Sequence, residues 1–244
     1  REGLITTAFA RALTSEPAAP SADATEETGG QEVSVPRLPP IQVWEPLSEA
    51  ELEDASCPIC RAREGTAVAI SNINGFALPI IRCANDGLVY LARRPVASWW
   101  HRIYAASQYL GNELDRQFGY PTGSRDADER IRIGVLRVDE VEHFRGRRQG
   151  VWLDIGTASG FVLHEAKRRG WQVLAIEPNE QGAEELRRQG IETIQAPLEL
   201  AQLPQHTVDV VSFYDVFEHL LDPQAALEAA RTALRPDGML VIRI

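Results

Sequence analysis

Val151-Trp-Leu-Asp154-Ile-Gly156-Thr157-Ala158-Ser-Gly160 decides the fold. Val151 to Ile155 is a short, almost unbroken apolar run, the pattern of a strand buried on both faces. A glycine-bounded turn follows, then a helical stretch from Phe161 to Arg169 that Gly170 closes at its C-terminal cap. Working outward, Trp171 to Ile176 reads as the next strand, and Glu180 to Gln189 as a helix closed by Gly190. Ile191 to Gln195, Val208 to Tyr214 and Met239 to Ile244 read as further strands, with a helix over Pro223 to Leu234 before the last. Strands alternating with helices of this length predict an α/β domain, Rossmann-like, with a doubly wound and mostly parallel sheet. The chain begins with Arg1 and stops at Ile244 inside the last strand, so the reading expects a fragment whose sheet is truncated at its C-terminus.

The turn also carries chemistry. Gly156 and Gly160 let the backbone bend sharply and approach a ligand closely. The start of the next helix offers free N–H groups to an anionic group such as a carboxylate. Glu177 ends the following strand, at the usual interval of about 20 residues where a carboxylate takes both hydroxyls of a ribose. Together these describe a site for an adenosine-containing ligand at the carboxyl ends of the strands. A nicotinamide site would read Gly-x-Gly-x-x-Gly, whereas this loop reads Asp-x-Gly-x-x-x-Gly, which favours a sulfonium cofactor.

Four segments resemble the class I S-adenosylmethionine-dependent methyltransferases. They are Leu153-Asp-Ile-Gly-Thr-Ala-Ser-Gly160, Ala175-Ile-Glu-Pro-Asn179, the run from Val208 to Pro223, and Leu234-Arg-Pro-Asp-Gly-Met-Leu240. The resemblance implies that Asp154, Gly156, Thr157, Ala158 and Gly160 line the methionine and ribose side of S-adenosylmethionine, with Glu177 on the ribose. It implies Pro197, Leu198 and Glu199 near the adenine, and Tyr214 and Asp215 where the methyl group is presented. Ala158 departs from the family, which commonly has Gly there; an alanine is tolerated if its φ is negative. Asp215, Glu218 and His219 form an Asp-x-x-Glu-His cluster after the fourth strand. His219 is the candidate general base, with Asp215 beside it. A similar pattern binds a divalent metal in some O-methyltransferases of the superfamily; the other reading is a carboxylate and a hydrogen-bonded histidine that shape the loop, preferred here for Glu218.

The N-terminal part is organised differently. Residues 1–53 read as a mostly flexible segment: Leu4, Ile5, Ala8, Phe9, Ala12 and Leu13 have helical spacing, but Thr14 to Pro40 is too poor in large apolar residues to repay its ordering. Residues 54–94 read as a small β module, with strands over Thr66 to Ile70, Phe76 to Ile81 and Leu88 to Leu91 and a hairpin signal at Asn74-Gly75. Residues 95–148 read as a helical connector, with Ile131, Val135, Val138 and Val141 on one buried face. Trp99, Trp100, Tyr104 and Tyr109 are read as packing between the modules, and Arg145, Arg147 and Arg148 as a solvated helix end. Residues 149–244 read as the S-adenosylmethionine-binding methyltransferase domain that the resemblance implies, incomplete at its C-terminus.

Cys57-Pro-Ile-Cys60 spaces two thiolates for one metal, and Cys83-Ala-Asn-Asp86 lies a hairpin later, where a second knuckle would complete a zinc ribbon. Zn²⁺ accepts a Cys₃Asp set, although Asp86 in the fourth place is uncommon for a structural site. Three readings stay open: a zinc ion on Cys57, Cys60, Cys83 and Asp86, a degenerate ribbon held by its small core, or lone buried thiols, the weakest because all three cysteines fall at ribbon positions. Methyltransferases with an N-terminal zinc ribbon exist, sugar C-methyltransferases among them, and Gly87-Leu-Val-Tyr90 resembles theirs.

Charge and cysteine usage bound the function classes. The 25 basic and 35 acidic side chains leave a net charge of −10, the wrong sign for gripping nucleic acid over the whole surface. No apolar run spans a bilayer and the N-terminus lacks a secretory pattern. Three cysteines at ribbon positions speak against a disulfide framework, so a reducing, cytoplasmic setting is expected. The leading reading is an enzyme methylating a small polar metabolite or sugar nucleotide at oxygen or carbon. An RNA methyltransferase using the ribbon, and a non-catalytic module binding cofactor or partner, are the alternatives. The acceptor and the oligomeric state are not legible.

Overall fold

The computed structural model describes residues 35–106, 124–146 and 149–244. The early helical spacing around Leu4 to Leu13, most of the linker, Tyr109, Arg147 and Arg148 lie outside them. Six strands come first: β1 (Arg37–Ile41), β2 (Leu52–Asp54), β3 (Gly65–Ile73), β4 (Phe76–Cys83), β5 (Val89–Leu91) and β6 (Arg93–Pro95). Two helices follow, α1 (Ala97–Ala105) and α2 (Ser124–Arg145). The rest alternates as β7 (Val151–Ile155), α3 (Phe161–Arg168), β8 (Gln172–Ile176), α4 (Glu180–Arg188), β9 (Glu192–Ile194), β10 (Val208–Tyr214), α5 (Pro223–Ala233) and β11 (Leu234–Arg243).

The last five strands form one parallel sheet in the order β11-β10-β7-β8-β9. The order reverses between β7 and β10, so a crevice opens there beyond the carboxyl ends of the strands. The buried apolar strand residues divide between two cores. Trp152, Ala175, Val210 and Tyr214 pack against Val138 and Val141 of α2, Val162, Leu163 and Ala166 of α3, and Leu186 of α4. Leu153, Ile155, Leu174, Ile176, Val211 and Phe213 pack against Ala226, Ala230 and Ala233 of α5. Burying a leucine- or valine-sized side chain contributes roughly 1.5–3 kcal/mol, so the two layers dominate the stability of this unit. Leu234 pairs with Val208, and the ladder resumes with Met239 opposite Val210, so the last strand starts five residues earlier than the sequence suggests.

The N-terminal sheet has the order β1-β3-β4-β5. Asn74 (φ 49°) and Gly75 (φ 88°) make the two-residue turn between β3 and β4 with both residues left-handed, as a tight hairpin requires. Two readings of this half need correction. Residues 37–53 are not part of a flexible segment: β1 adds a parallel strand to β3, β2 pairs with β6, and Val43, Trp44 and Leu47 pack on a core of Ile73, Leu78, Trp99 and Ile103. Sparse apolar residues suffice because Trp99 supplies a large buried partner and its Nε1 donates to the Pro46 carbonyl at 2.8 Å.

The connector also divides. α1 stays with the small core, whereas α2 packs on α3 and belongs with the parallel sheet. Ile131 is 62% exposed rather than buried. The closest approach is at Gly134, where a Cβ would lie 2.7 Å from the Phe161 carbonyl oxygen. Arg145 is likewise no solvated helix end. It donates to the carbonyls of Asp209 and Asp237 at 2.9 and 3.0 Å, and its buried side chain pairs with the Asp209 carboxylate at 3.4 Å. No helix among the described residues is long and apolar enough to cross a membrane.

Candidate active site

The loop after β7 is held by its own glycines. The Gly156 N–H donates to the Ile176 carbonyl at 2.8 Å, and Gly160 donates to Thr157 at 2.9 Å before capping α3. Both have positive φ, 70° and 71°. A Cβ on Gly156 would lie 2.6 Å from a Val216 methyl, and one on Gly160 would lie 2.4 Å from a Leu186 methyl. The protein's own packing therefore excludes side chains there, besides any ligand. Ala158 has φ 48°, so the condition under which an alanine is expected to be tolerated there, a negative φ, is not met. Left-handed backbone costs an alanine about 1–2 kcal/mol, and a hydrogen bond offsets part of that cost: the Ala158 N–H donates to Glu177 Oε2 at 2.8 Å.

Glu177 sits where β8 ends and is buried, 3% exposed. Its second oxygen accepts the Asn179 N–H at 2.9 Å. Burial raises its pKa above the usual carboxylate range, opposed by those two N–H donors. Asp154, at the end of β7, accepts from the Ser212 hydroxyl at 2.5 Å, and the Trp152 indole N–H donates to that hydroxyl at 2.8 Å. Burial pushes Asp154 up to about 6. The Thr157 side chain hydrogen-bonds the Asp154 carboxylate, and the Tyr214 hydroxyl is buried beside this network without a hydrogen-bond partner among the described residues. An orphaned hydroxyl at the strand end fits a site that a polar ligand completes.

The other walls come from four elements. Pro197 precedes a single turn over Leu198–Leu200; Leu198 packs into the α5-side core, and Glu199 lies 3.7 Å from His101 Nε2 of α1. Asp215 follows β10 with φ 57°, and its N–H donates to the Arg243 carbonyl. Its carboxylate accepts from Arg137 of α2 at 2.8 Å, with Arg243 at 4.0 Å. The Arg137 guanidinium also lies over the Tyr214 ring at 4.2 Å and the Phe161 ring at 5.2 Å. Arg137 is not among the residues expected at the site; it falls between Val135 and Val138 without breaking their helical spacing, so no local signal marks it.

His219 lies in a short turn, its ring 6.5 Å from that of Tyr104 in α1. Desolvation by surrounding protein lowers its pKa, while the charges of Glu218 and Asp215 act in the opposite direction. Asp215, Glu218 and His219 do not converge as metal donors. Among the described residues, the group whose donor atoms converge is Cys57, Cys60, Cys83 and Asp86, all within 4.8 Å of one another.

That group is built from two matching turns. Arg61 (φ 62°) follows Cys60, Gly87 (φ 75°) follows Asp86, and both turns close on the carbonyl of their first cysteine. Asp86 therefore stands where the second knuckle's second ligand belongs. Cys60 and Cys83 Sγ are 3.4 Å apart, and Cys57 Sγ lies 3.2 Å from Asp86 Oδ2. Tetrahedral arms of about 2.3 Å to sulfur would need edges of roughly 3.8 Å, so small adjustments fit a zinc ion. The Leu88 N–H and the neighbouring thiols hold the Asp86 carboxyl down at about 2, in the form a metal takes.

Residues 125–244 match the methyltransferase-domain family. This part of the chain is a class I, S-adenosylmethionine-dependent methyltransferase domain. The curated relatives of the domain include ubiquinone biosynthesis O-methyltransferases. That of Neisseria meningitidis is 31% identical over 117 residues, covering 44% of this chain and 49% of the relative. That of Acinetobacter baylyi is 32% identical over 115 residues, covering 43% and 48%. The chain thus spans about half the length of the curated relatives it matches. Among solved structures, the methyltransferase domain is similar to a SAM-dependent methyltransferase from Aquifex aeolicus, with 24% identity, 43% of this chain and 62% of that chain covered, and a TM-score of 0.38.

Proposed function

We propose that the chain transfers a methyl group from S-adenosylmethionine to a hydroxyl of a small polar acceptor, a sugar nucleotide included. The observation that carries this reading is the pairing of loop and carboxylate: Ala158 N–H on Glu177 Oε2 at 2.8 Å, with Asp154 at the neighbouring strand end. Glu177 would hold the ribose hydroxyls, Pro197 and Leu198 would flank the adenine, and Gly156 to Gly160 would take the methionine end. The Tyr214 hydroxyl then gains a partner that it otherwise lacks. The bound sulfonium supplies an electrophilic methyl group, and the chain's part is alignment and proton management.

His219 is the proposed base. Its lowered pKa keeps the ring neutral near pH 7 and able to take the hydroxyl proton. The carboxylates of Glu218 and Asp215 would stabilise the imidazolium formed. Asp215 is held by Arg137, so its proposed role is electrostatic rather than that of a second base. The names of the curated relatives favour oxygen as the acceptor atom. In the N-terminal module, we propose a zinc ion on Cys57, Cys60, Cys83 and Asp86 that fixes the two knuckles, in a reducing compartment that keeps the thiols free.

Calorimetry with S-adenosylhomocysteine and with NAD tests the cofactor class. Saturable binding of the former alone is expected; binding of NAD alone would overturn the reading. Filter binding of RNA at two salt concentrations separates the nucleic-acid alternative, for which weak, salt-erased retention is expected.

A further inference from the structure

We infer that Asn179 is a positioning residue that latches α1 onto the cofactor carboxylate, so that ligand binding at Glu177 fixes the wall carrying Tyr104 beside His219. The inference rests on the proposed S-adenosylmethionine site. Asn179 is fully buried, and every polar group of its side chain is used. Its Oδ1 accepts the Gly182 N–H at 3.0 Å, capping α4. Its Nδ2 faces the carbonyls of Tyr104, Ala105 and Ala106 at 3.2, 3.3 and 2.8 Å. Its backbone N–H donates to Glu177.

One residue therefore touches three things: the ribose carboxylate, the start of α4, and the end of a helix more than 70 residues earlier. The last carbonyls of a helix have no partners within it. α1 ends without a glycine, its following residue Ala106 being extended at ψ 140°, so an amide donor from elsewhere meets those carbonyls. α1 in turn carries His101 against Glu199 and the Tyr104 ring against His219. It spans the opening between the adenine side and the transfer side. A ligand that occupies the Glu177 carboxylate holds its geometry, hence that of Asn179, hence the end of α1.

Asn179→Ser separates the two side-chain tasks, because a serine hydroxyl still caps α4 but cannot reach the α1 carbonyls as a two-hydrogen donor. Hydrogen exchange on the full chain, with and without S-adenosylhomocysteine, reads the coupling. In the wild type, the ligand should slow exchange severalfold in residues 97–106 as well as in 154–160. In Asn179→Ser, a folded protein with an unchanged far-ultraviolet spectrum should retain protection of 154–160 and lose the ligand-dependent protection of 97–106. Protection of 154–160 without 97–106 in the wild type overturns the latch alone, as does protection of 97–106 that persists in the variant. No ligand protection anywhere in the wild type overturns the cofactor reading and the latch with it. The wild-type arm stands even if the variant unfolds.

Discussion

The guanidinium of Arg137 bonds the Asp215 carboxylate at 2.8 Å while lying 4.2 Å from the centre of the Tyr214 ring. A helix outside the β-α alternation thereby reaches the end of β10 and fixes the left-handed residue that begins the acceptor-side loop. Removing one partner strands the other. The Arg137 side chain is only 7% exposed and that of Asp215 30%, so the loss falls between surface and buried pairs. Arg137→Ala should cost about 1.5–3 kcal/mol, the range for hydrogen bonds to charged groups. Arg137→Ala with Asp215→Ala should cost less than the sum of the single changes. Urea midpoints of the three variants measure this coupling. Additive losses would mean that the contact does not hold the loop.

Asp154 gives stability a recognisable pH dependence. Its folded pKa, near 6, lies above the ordinary value because burial disfavours the charged form. A raised pKa contributes stability that is complete below about pH 4 and lost as pH rises through 6. The span corresponds to roughly 3 kcal/mol at most. Asp154→Asn cannot titrate and still accepts from Ser212. The difference in unfolding free energy between variant and wild type should therefore grow in the variant's favour from pH 4 to pH 7. A constant difference over that interval would show that Asp154 does not titrate there.

Much of this architecture is legible along the chain because it is local. An almost unbroken apolar run gives β7, glycines after α3 and α4 give their ends, and Asn74-Gly75 gives the hairpin. What escaped depends on partners far away in sequence. Nothing near Arg137 points to Asp215, 78 residues on, and nothing in Pro-Asn179 points to the carbonyls of α1. Ala158 looks unsuited to a left-handed position until the Glu177 carboxylate is seen to receive its N–H. The strands within residues 37–53 follow from pairing with β3 and β6 rather than from their own weak pattern.

Glu177 tests the cofactor site most directly. Its two oxygens already receive Ala158 and Asn179, and the remaining lone pairs are what ribose hydroxyls would use. Glu177→Ala should weaken S-adenosylhomocysteine by about 1–3 kcal/mol. Because burial raises its pKa, wild-type affinity should begin to fall at a higher pH on acidification than an ordinary glutamate would allow. Calorimetric titrations of both proteins between neutral and mildly acid pH check this. Equal affinity, or an affinity in the wild type that ignores pH throughout, would detach the carboxylate from the ligand.

The ribbon makes a separate prediction through the softness of its donors. Zinc prefers thiolate to carboxylate in sites of this kind, so Asp86 should make the cluster a weaker holder than four cysteines. Asp86→Cys should keep zinc at chelator concentrations that strip the wild type, and Cys57→Ser should lose it at lower ones. Stripping should also loosen a contact beyond the ribbon. Arg61, in the first knuckle, bonds both oxygens of Asp222 at 2.9 and 3.0 Å, and Gln224 bonds the Ile59 carbonyl. Both partners lie at the start of α5, just after His219. Zinc content by elemental analysis, followed by hydrogen exchange over residues 217–226 before and after chelation, reads both effects. A wild-type protein purified with no metal and with exchange there unaffected by added zinc would leave the ribbon to its apolar core alone.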